Sequence, residues 1–322
     1  MSHNINEERM FYYGETPWHG VGTELKQPAT AREAIEAARL DYKVQLHPVM
    51  TDFKVINNVM ATARHDNQDV LGIVSPKYRI IQNTEAFSFF DGVVGEGQAI
   101  YHTAGALGKG ERIWIMAKLP NDIVIKDDVI EKYLVLTNSH DGKSALKMYF
   151  TPIRVVCQNT LSMSLVDATS GISIRHSGNI KSKTEEAQRL LQIAGHSYKD
   201  FEDKTRLLTD TPLNVDKAER YFNRLIYNTE TPTREDFEST KTLNKRNELL
   251  GLFESGLGNK NHLIRHTAWT AYNAVTEYVD HRASIRNVMK NPSNRIKNIW
   301  FGAGAKIKQR AFVEALNLCE VN

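Results

Sequence analysis

Tyr133-Leu-Val-Leu-Thr-Asn-Ser-His-Asp-Gly-Lys-Ser-Ala-Leu-Lys-Met-Tyr-Phe150 is the stretch that decides the fold. Its two ends, Tyr133 to Thr137 and Ala145 to Phe150, have the composition of β-strands. Between them lies Asp141-Gly142, a strong hairpin signal, because glycine accepts a positive φ without steric cost. The stretch therefore predicts two adjacent antiparallel strands.

The sequence on both sides indicates more strands, followed by helices. Apolar alternation and short apolar runs predict strands within 44–63, with a turn at Asn57-Asn58, and at 70–74, 78–82, 99–103, 112–119 and 172–176. Thr30-Ala-Arg-Glu33 is a capping box that begins a helix, and Asn83 begins a second one. After Thr184 helical spacing predominates, over 185–208, 216–227, 234–253, 263–279 and 305–318.

This order of elements predicts an α+β fold. We expect a mostly antiparallel sheet with packed helices in the N-terminal half and a helical C-terminal half. The predicted boundary separates an α+β domain at 1–183 from a mainly helical region at 184–322. The second region is either a separate unit or packed on the first.

The segment after the hairpin, Thr151-Pro-Ile-Arg-Val-Val-Cys-Gln-Asn-Thr-Leu161, predicts a helix. Thr is a good N-cap, and Pro is favoured at the first helical position. Helical spacing then places Ile153, Val156, Cys157, Leu161 and Leu165 towards the core. The opposite stripe holds Arg154, Gln158 and Ser162, which are free to bind a ligand.

Composition excludes several classes of protein. The chain has 322 residues, of which 41% are hydrophobic, enough for a substantial core. No apolar run approaches the roughly 18 residues that span a bilayer, and the polar N-terminus has no secretory apolar region. Cys157 and Cys319 are far apart, which is typical of a reducing compartment. We therefore expect a cytoplasmic protein with no membrane partner.

No motif forms a complete catalytic, cofactor or metal site. Gly105 to Gly110 lacks the Lys-Ser/Thr ending of a phosphate loop. Ser139-His140-Asp141 are adjacent and point in different directions, so they cannot form a catalytic relay. His262 and His266 have helical spacing but no third ligand, and Asp127-Asp128 indicates a turn. The sequence predicts no cofactor and no metal, and favours a protein that is not an enzyme.

Basic groups are unevenly distributed. Residues 1–170 hold 17 Lys and Arg against 20 Asp and Glu, whereas residues 171–322 hold 24 against 18. No acid occurs from His281 to Val313. Such a basic segment can bind a polyanion or form an ordinary solvated surface. The candidate nucleic-acid-binding residues are Lys143, Lys147, Arg154, Gln158, Asn159, Arg175, His176, Lys181, Lys183, Arg295, Lys297 and Trp300. For Arg154 and Asn159, a buried structural role stays an open alternative.

Several motifs resemble the phage/plasmid-like protein family, a domain of unknown function of the nine-three-two type. They are Pro17-Trp-His-Gly-Val-Gly22, Gly110-Glu-Arg-Ile-Trp114, Asn138-Ser-His-Asp-Gly142, Thr151 to Leu161, Ala268 to Asp280 and Phe301-Gly-Ala-Gly304. The resemblance covers nearly the whole chain. It implies a protein of phages, plasmids and integrated elements, and it supplies no established activity.

The leading hypothesis is a nucleic-acid-binding protein of a mobile element. Single-stranded DNA is the favoured partner, in recombination, annealing or DNA protection. One alternative is a protein-interaction factor that counteracts host defence or restriction, and another is an undetected nuclease or nucleotide hydrolase. A homo-oligomer and a host protein stay open as partners.

Overall fold

The computed structural model of the protein describes residues 5–14, 22–94, 100–154, 159–160, 172–176, 198–237, 239–284, 298–299 and 302–320. For residues 5–9, 93–94, 154, 159–160 and 172 the description covers the backbone alone. Strands and helices both contribute, the sheets are mostly antiparallel, and the C-terminal half is helical. The predicted α+β class is therefore confirmed.

The main sheet contains nine strands among the described residues. They are β1 (Ile5–Tyr13), β2 (Thr23–Leu25), β6 (Ile100–Leu107), β7 (Arg112–Lys118), β8 (Ile123–Ile125), β9 (Asp128–Ser139), β10 (Leu146–Arg154), β11 (Asn159–Thr160) and β12 (Ile172–Ile174). Their order is β11-β10-β9-β7-β6-β1-β2, with β12 also pairing with β10 and β8 with β9. All pairs are antiparallel except β1 with β2.

The predicted hairpin is confirmed as β9 and β10. Lys147 lies opposite Thr137, and the register continues to Arg154 opposite Ile130. Gly142 has a φ of 72°, the conformation for which glycine is suited. The hairpin therefore lies between β7 on one side and β11 and β12 on the other.

The helix predicted from Thr151 is wrong where the structure describes it. Residues 151–154 continue β10, and Asn159–Thr160 form β11. Pro152 is accommodated because the outer neighbours of β10 pair with 146–148 and 153–154. Its missing N–H thus falls in a gap where a ladder bond is not needed. Residues 155–158 and 161–165 of this prediction lie outside the described residues.

A second sheet contains three strands, β3 (Val44–Met50), β4 (Val55–Arg64) and β5 (Val70–Val74), in that order. The turn predicted at Asn57-Asn58 is wrong. The chain reverses at 51–54, and the two asparagines lie in β4 beside a register shift at Pro48/Val49. Asparagine suits such an irregularity as well as a turn.

The strand predicted at 78–82 is also wrong, because this segment makes no ladder. Arg79 N donates to His176 O at 2.6 Å. The side chain of Gln82 exchanges two hydrogen bonds with the backbone of Val44. The apolar residues Ile80 and Ile81 indicate an extended backbone, and pairing then depends on distant residues.

Seven helices are named here within the described residues. They are α1 (Ala31–Ala37), α2 (Asn83–Val94), α3 (198–210), α4 (Val215–Tyr227), α5 (Thr240–Ser255), α6 (Ala268–Glu277) and α7 (Ala303–Glu320). The capping box of Thr30 and Glu33 is present at the start of α1. The described C-terminal helices lie within a few residues of the ranges that helical spacing predicts, although α5 and α6 begin five to six residues later. Residues 185–197 of the first predicted helix lie outside the described residues.

One continuous core joins the main sheet to helices from both halves of the chain. It includes Phe11, Leu136, Phe201, Trp269 and Phe312. All ten residues of α6 are buried. No described helix has the length and hydrophobicity that crossing a bilayer requires.

Candidate nucleic-acid interface

The pairing of β10 with β12 places two predicted cations on one face of the main sheet. Lys147 lies directly opposite Ser173, and both are exposed. Their neighbours Leu146, Met148 and Ile174 are buried on the other face. Arg175 is exposed, two residues beyond Ser173, so it is a diagonal neighbour of Lys147, about 7–8 Å away.

Lys143 lies beside this ladder, at the end of the β9–β10 hairpin. Asp141 holds the turn, since its Oδ1 accepts from the backbone N of Lys143 at 2.9 Å and also from Ser139 Oγ. The ammonium group of Lys143 is left exposed. We call Lys143, Lys147 and Arg175 the basic edge. Within the described part of the chain, none of these three side chains forms an ion pair.

A buried hydrogen-bond network fixes the hairpin that carries the basic edge. His140 Nε2 lies 2.8 Å from Asn83 Oδ1, and Asn83 Nδ2 donates to Leu40 O. Because that amide oxygen is the acceptor, Nε2 must carry the proton. The backbone of His140 donates to Glu111 O and accepts from Thr62 Oγ1. The hairpin end is thereby tied to β4, α2 and the β6–β7 turn.

The environment of His140 keeps its ring neutral. The pKa of His140 is lowered to about 3, mainly by burial and also by the nearby His176, while Asp141 partly opposes both. The ring makes an edge contact with Tyr42. Its Nδ1 has no hydrogen-bond partner among the residues that the structure describes. A neutral, enclosed imidazole at this position has a structural role.

His176 is buried and does not join the basic edge. Its ring stacks on Tyr78 with centroids 4.7 Å apart, and its Nδ1 lies 3.2 Å from Arg79 O. Burial lowers its pKa. Tyr78 in turn donates to Ser139 O at 2.8 Å. His176 therefore anchors the chain next to Arg175, and we leave it out of the phosphate-binding set.

The structure does not describe the side chains of the other predicted site residues. Arg154 and Asn159 are paired with each other through the backbone of β10 and β11, and their side chains are outside the description. Gln158, Lys181, Lys183, Arg295, Lys297 and Trp300 lie outside the described residues.

Arg112 is a further cation that sequence reasoning missed. It is the first residue of β7 and lies opposite Ser139 in β9. By strand alternation it shares the face of Thr137 and Lys147, and it is half-buried. The glycine-rich turn before it was a usable signal, because a short β6–β7 hairpin brings Arg112 beside the end of β9.

Within the described residues, the side chains considered as catalytic candidates do not come together in one site. Ser139 Oγ donates to Asp141 on one face of β9, whereas His140 contacts Asn83 on the other. Asp128 is buried and accepts from the indole of Trp269, while Asp127 lies at the preceding turn. No group of three His, Cys, Asp or Glu able to hold a metal occurs in the described ranges.

Two described cations of the acid-free stretch after His281 are engaged in contacts within the protein. Lys308 is buried, and its Nζ donates to Asp280 at 2.8 Å. Arg310 donates to Arg224 O and to Asn228 Oδ1. These two cations stabilise contacts within the helical half of the chain.

Comparison with known proteins agrees with the resemblance noted in the motifs. Residues 70–300 match the model of a family described as a domain of unknown function (DUF932). No curated protein and no solved structure gives a match. The matched region is more than half of the chain and includes the basic edge, together with His140 and Asn83 of the buried network. The chain therefore belongs to the DUF932 family.

Proposed function

We propose that this protein binds nucleic acid, with single-stranded DNA as the favoured ligand, through the basic edge. The observation that carries the proposal is the exposure of Lys143, Lys147 and Arg175 beside the β10–β12 ladder, where none of the three forms an ion pair with a described residue. The resemblance of the motifs to a mobile-element family adds the context of recombination, annealing or DNA protection.

The chemistry of the basic edge suits a phosphate backbone. Lys and Arg side chains supply most contacts to phosphate oxygens, and these contacts position a protein without reading sequence. Lys147 and Arg175 lie along one strand pair, and Lys143 lies beside them at the end of the hairpin. Binding is therefore expected to depend little on sequence and strongly on salt.

The three cations are carried by ordered backbone, which favours a preformed binding surface over a flexible charged loop. Lys147 is on a paired strand, and Arg175 is one residue beyond one. Lys143 follows a turn closed by Asp141. Cations held by a sheet lose little conformational entropy when a ligand binds, because their backbone is already ordered.

The test is a fluorescence-anisotropy titration with a labelled oligothymidine of about 30 nucleotides, long enough for several typical site sizes. The variant Lys143→Gln/Lys147→Gln/Arg175→Gln removes the basic edge. A matched control, Lys26→Gln/Lys199→Gln/Lys260→Gln, removes three positive charges from other exposed positions. A labelled duplex of the same length compares single-stranded with double-stranded ligand.

The proposal expects the wild type and the control to bind at low salt and the basic-edge variant to bind at least about tenfold more weakly. Weaker binding to the duplex than to the single strand would support the favoured ligand. If the wild type does not bind either oligonucleotide at low salt, the proposed function is wrong. Equal losses in the two triple variants would reject the basic edge as the interface.

A further inference from the structure

The β3–β4 hairpin ends in an arm, residues 48–58, that extends from the second sheet. Residues 50–58 are exposed without exception. The arm includes the pairs Met50 with Val55 and Val49 with Ile56. A two-stranded ribbon without a covering layer is marginally stable by itself. The exposure of the arm therefore indicates that a partner covers it.

A well-formed turn holds a phenylalanine at the tip of the arm. Thr51 N donates to Lys54 O at 2.9 Å, and Lys54 N donates to Thr51 Oγ1 at 3.2 Å. The two residues between them are Asp52 and Phe53. Hairpin tips favour Gly, Asn and Asp, yet Phe53 is 96% exposed here. An apolar ring at this position does not contribute to the stability of the monomer.

Other apolar side chains surround this ring. Met50, Val55 and Ile56 are 65%, 40% and 37% exposed. With Phe53 they present on the order of 400 Å² of apolar surface, given that one aromatic side chain accounts for about 150–250 Å². Patches of a few hundred Å² on a soluble protein mark interaction sites. Two such patches buried against each other would form an interface at the small end of the known range, typical of weak association.

The charges of the arm identify the partner. Residues 48–58 contain one acid, Asp52, and one base, Lys54, on either side of Phe53. The arm has no net charge, so it does not suit a phosphate backbone. If two identical tips meet in opposite directions, Asp52 of each copy faces Lys54 of the other. Such an arrangement is self-complementary, as a two-fold contact requires.

We propose that the arm is a dimerisation element, in which two copies of this chain pack Phe53 and its apolar neighbours together. Asp52 and Lys54 set the relative orientation of the two tips. This proposal does not depend on the proposed nucleic-acid binding, because the arm and the basic edge contain different residues.

The test is sedimentation velocity of the full chain from about 1 to 100 µM, the range in which a small interface associates. The wild type is expected to shift from monomer to dimer across this range. Phe53→Ser is expected to weaken association at least about tenfold, the effect of losing a central aromatic anchor. Leu257→Ser is the control, since Leu257 is an exposed apolar residue elsewhere, at 54%.

Charge reversal identifies the second copy as the partner. Asp52→Lys and Lys54→Asp, each alone, place like charges opposite each other and should weaken the dimer. An equimolar mixture of these two variants pairs opposite charges at both contacts and should restore it, as should the double reversal in one chain. A wild type that stays monomeric at the highest concentration would overturn the proposal and assign the arm to a different partner. A mixture no more associated than its components would also overturn it.

Discussion

Acidification from pH 7.5 to about 5.0 is expected to destabilise the protein through His140. This imidazole is fully buried, and its pKa is lowered to about 3, mainly by burial and also by His176, against an opposing effect of Asp141. In the unfolded chain the pKa returns to about 6.5. Because the unfolded state binds the proton more readily, the stability from neutral His140 is complete above pH 6.5. It is lost as the pH falls towards 3.

The magnitude follows from these two values. At about pH 5.0, His140 is charged in most unfolded molecules and neutral in the folded ones. About 1.5 pH units separate this pH from the unfolded pKa, and each unit corresponds to about 1.4 kcal/mol. His140 should therefore lower the free energy of unfolding by about 2 kcal/mol between pH 7.5 and 5.0. Burial also lowers the pKa of His176, which adds a loss in the same direction.

Urea denaturation at both pH values, for the wild type and for His140→Gln, separates the two histidines. The variant has an altered contact with Asn83, so it should be less stable at pH 7.5. Its further loss on acidification should be smaller than that of the wild type by about 2 kcal/mol. His262→Gln, at an exposed position, should lose as much as the wild type. If His140→Gln loses as much as the wild type too, His140 is not kept neutral by burial.

Three further substitutions test the packing that supports the basic edge and the core. Gly72→Ala should cost about 1–3 kcal/mol, because the added Cβ would lie 2.5 Å from the Cα of Asp141. Gly251→Ala, in α5 with nothing within 4 Å, should instead stabilise the protein by about 1 kcal/mol, and urea midpoints that move in the same direction would refute this contrast. Trp269→Phe removes the indole N–H that donates to Asp128 at 2.9 Å and should lower the free energy of unfolding by about 1–3 kcal/mol. An unchanged urea midpoint would show that this buried bond contributes nothing.

The elements predicted correctly are those determined by residues that are close together in the sequence. The capping box at Thr30 involves residues three positions apart, and it forms as expected. Asp141-Gly142 defines its own turn through a positive φ and a side-chain acceptor. The helices of the C-terminal half have an apolar spacing that few other structures satisfy. These predictions needed no information about distant residues.

The segment from Thr151 shows where local chemistry is not enough. Thr-Pro is a good helix start, and the same two residues are also tolerated where a strand lacks an outer neighbour. Which of the two forms depends on β9, whose residues 130–133 pair with 151–154. The pairing partner is about 20 residues away, so no short window of sequence contains the deciding information.

The candidate site was predicted as a set of twelve residues, and its geometry depends on strand register. Lys143 and Lys147 come from the hairpin, and Arg175 directly follows β12, which pairs with β10. The exclusion of His176 follows from a stack on Tyr78 that a sequence pattern does not reveal. Arg112 joins the same face only through the pairing of β7 with β9. Residue type identified the cations, and the sheet determined which of them share a face.

The salt dependence of oligothymidine binding tests the central claim most directly. Each phosphate contact on a single strand contributes about −0.7 to the slope of log K against log salt concentration. Loss of Lys143, Lys147 and Arg175 should therefore make the slope shallower by about 2 relative to the wild type and to the Lys26→Gln/Lys199→Gln/Lys260→Gln control. A slope that is the same in all three proteins would mean that the basic edge does not contact phosphates.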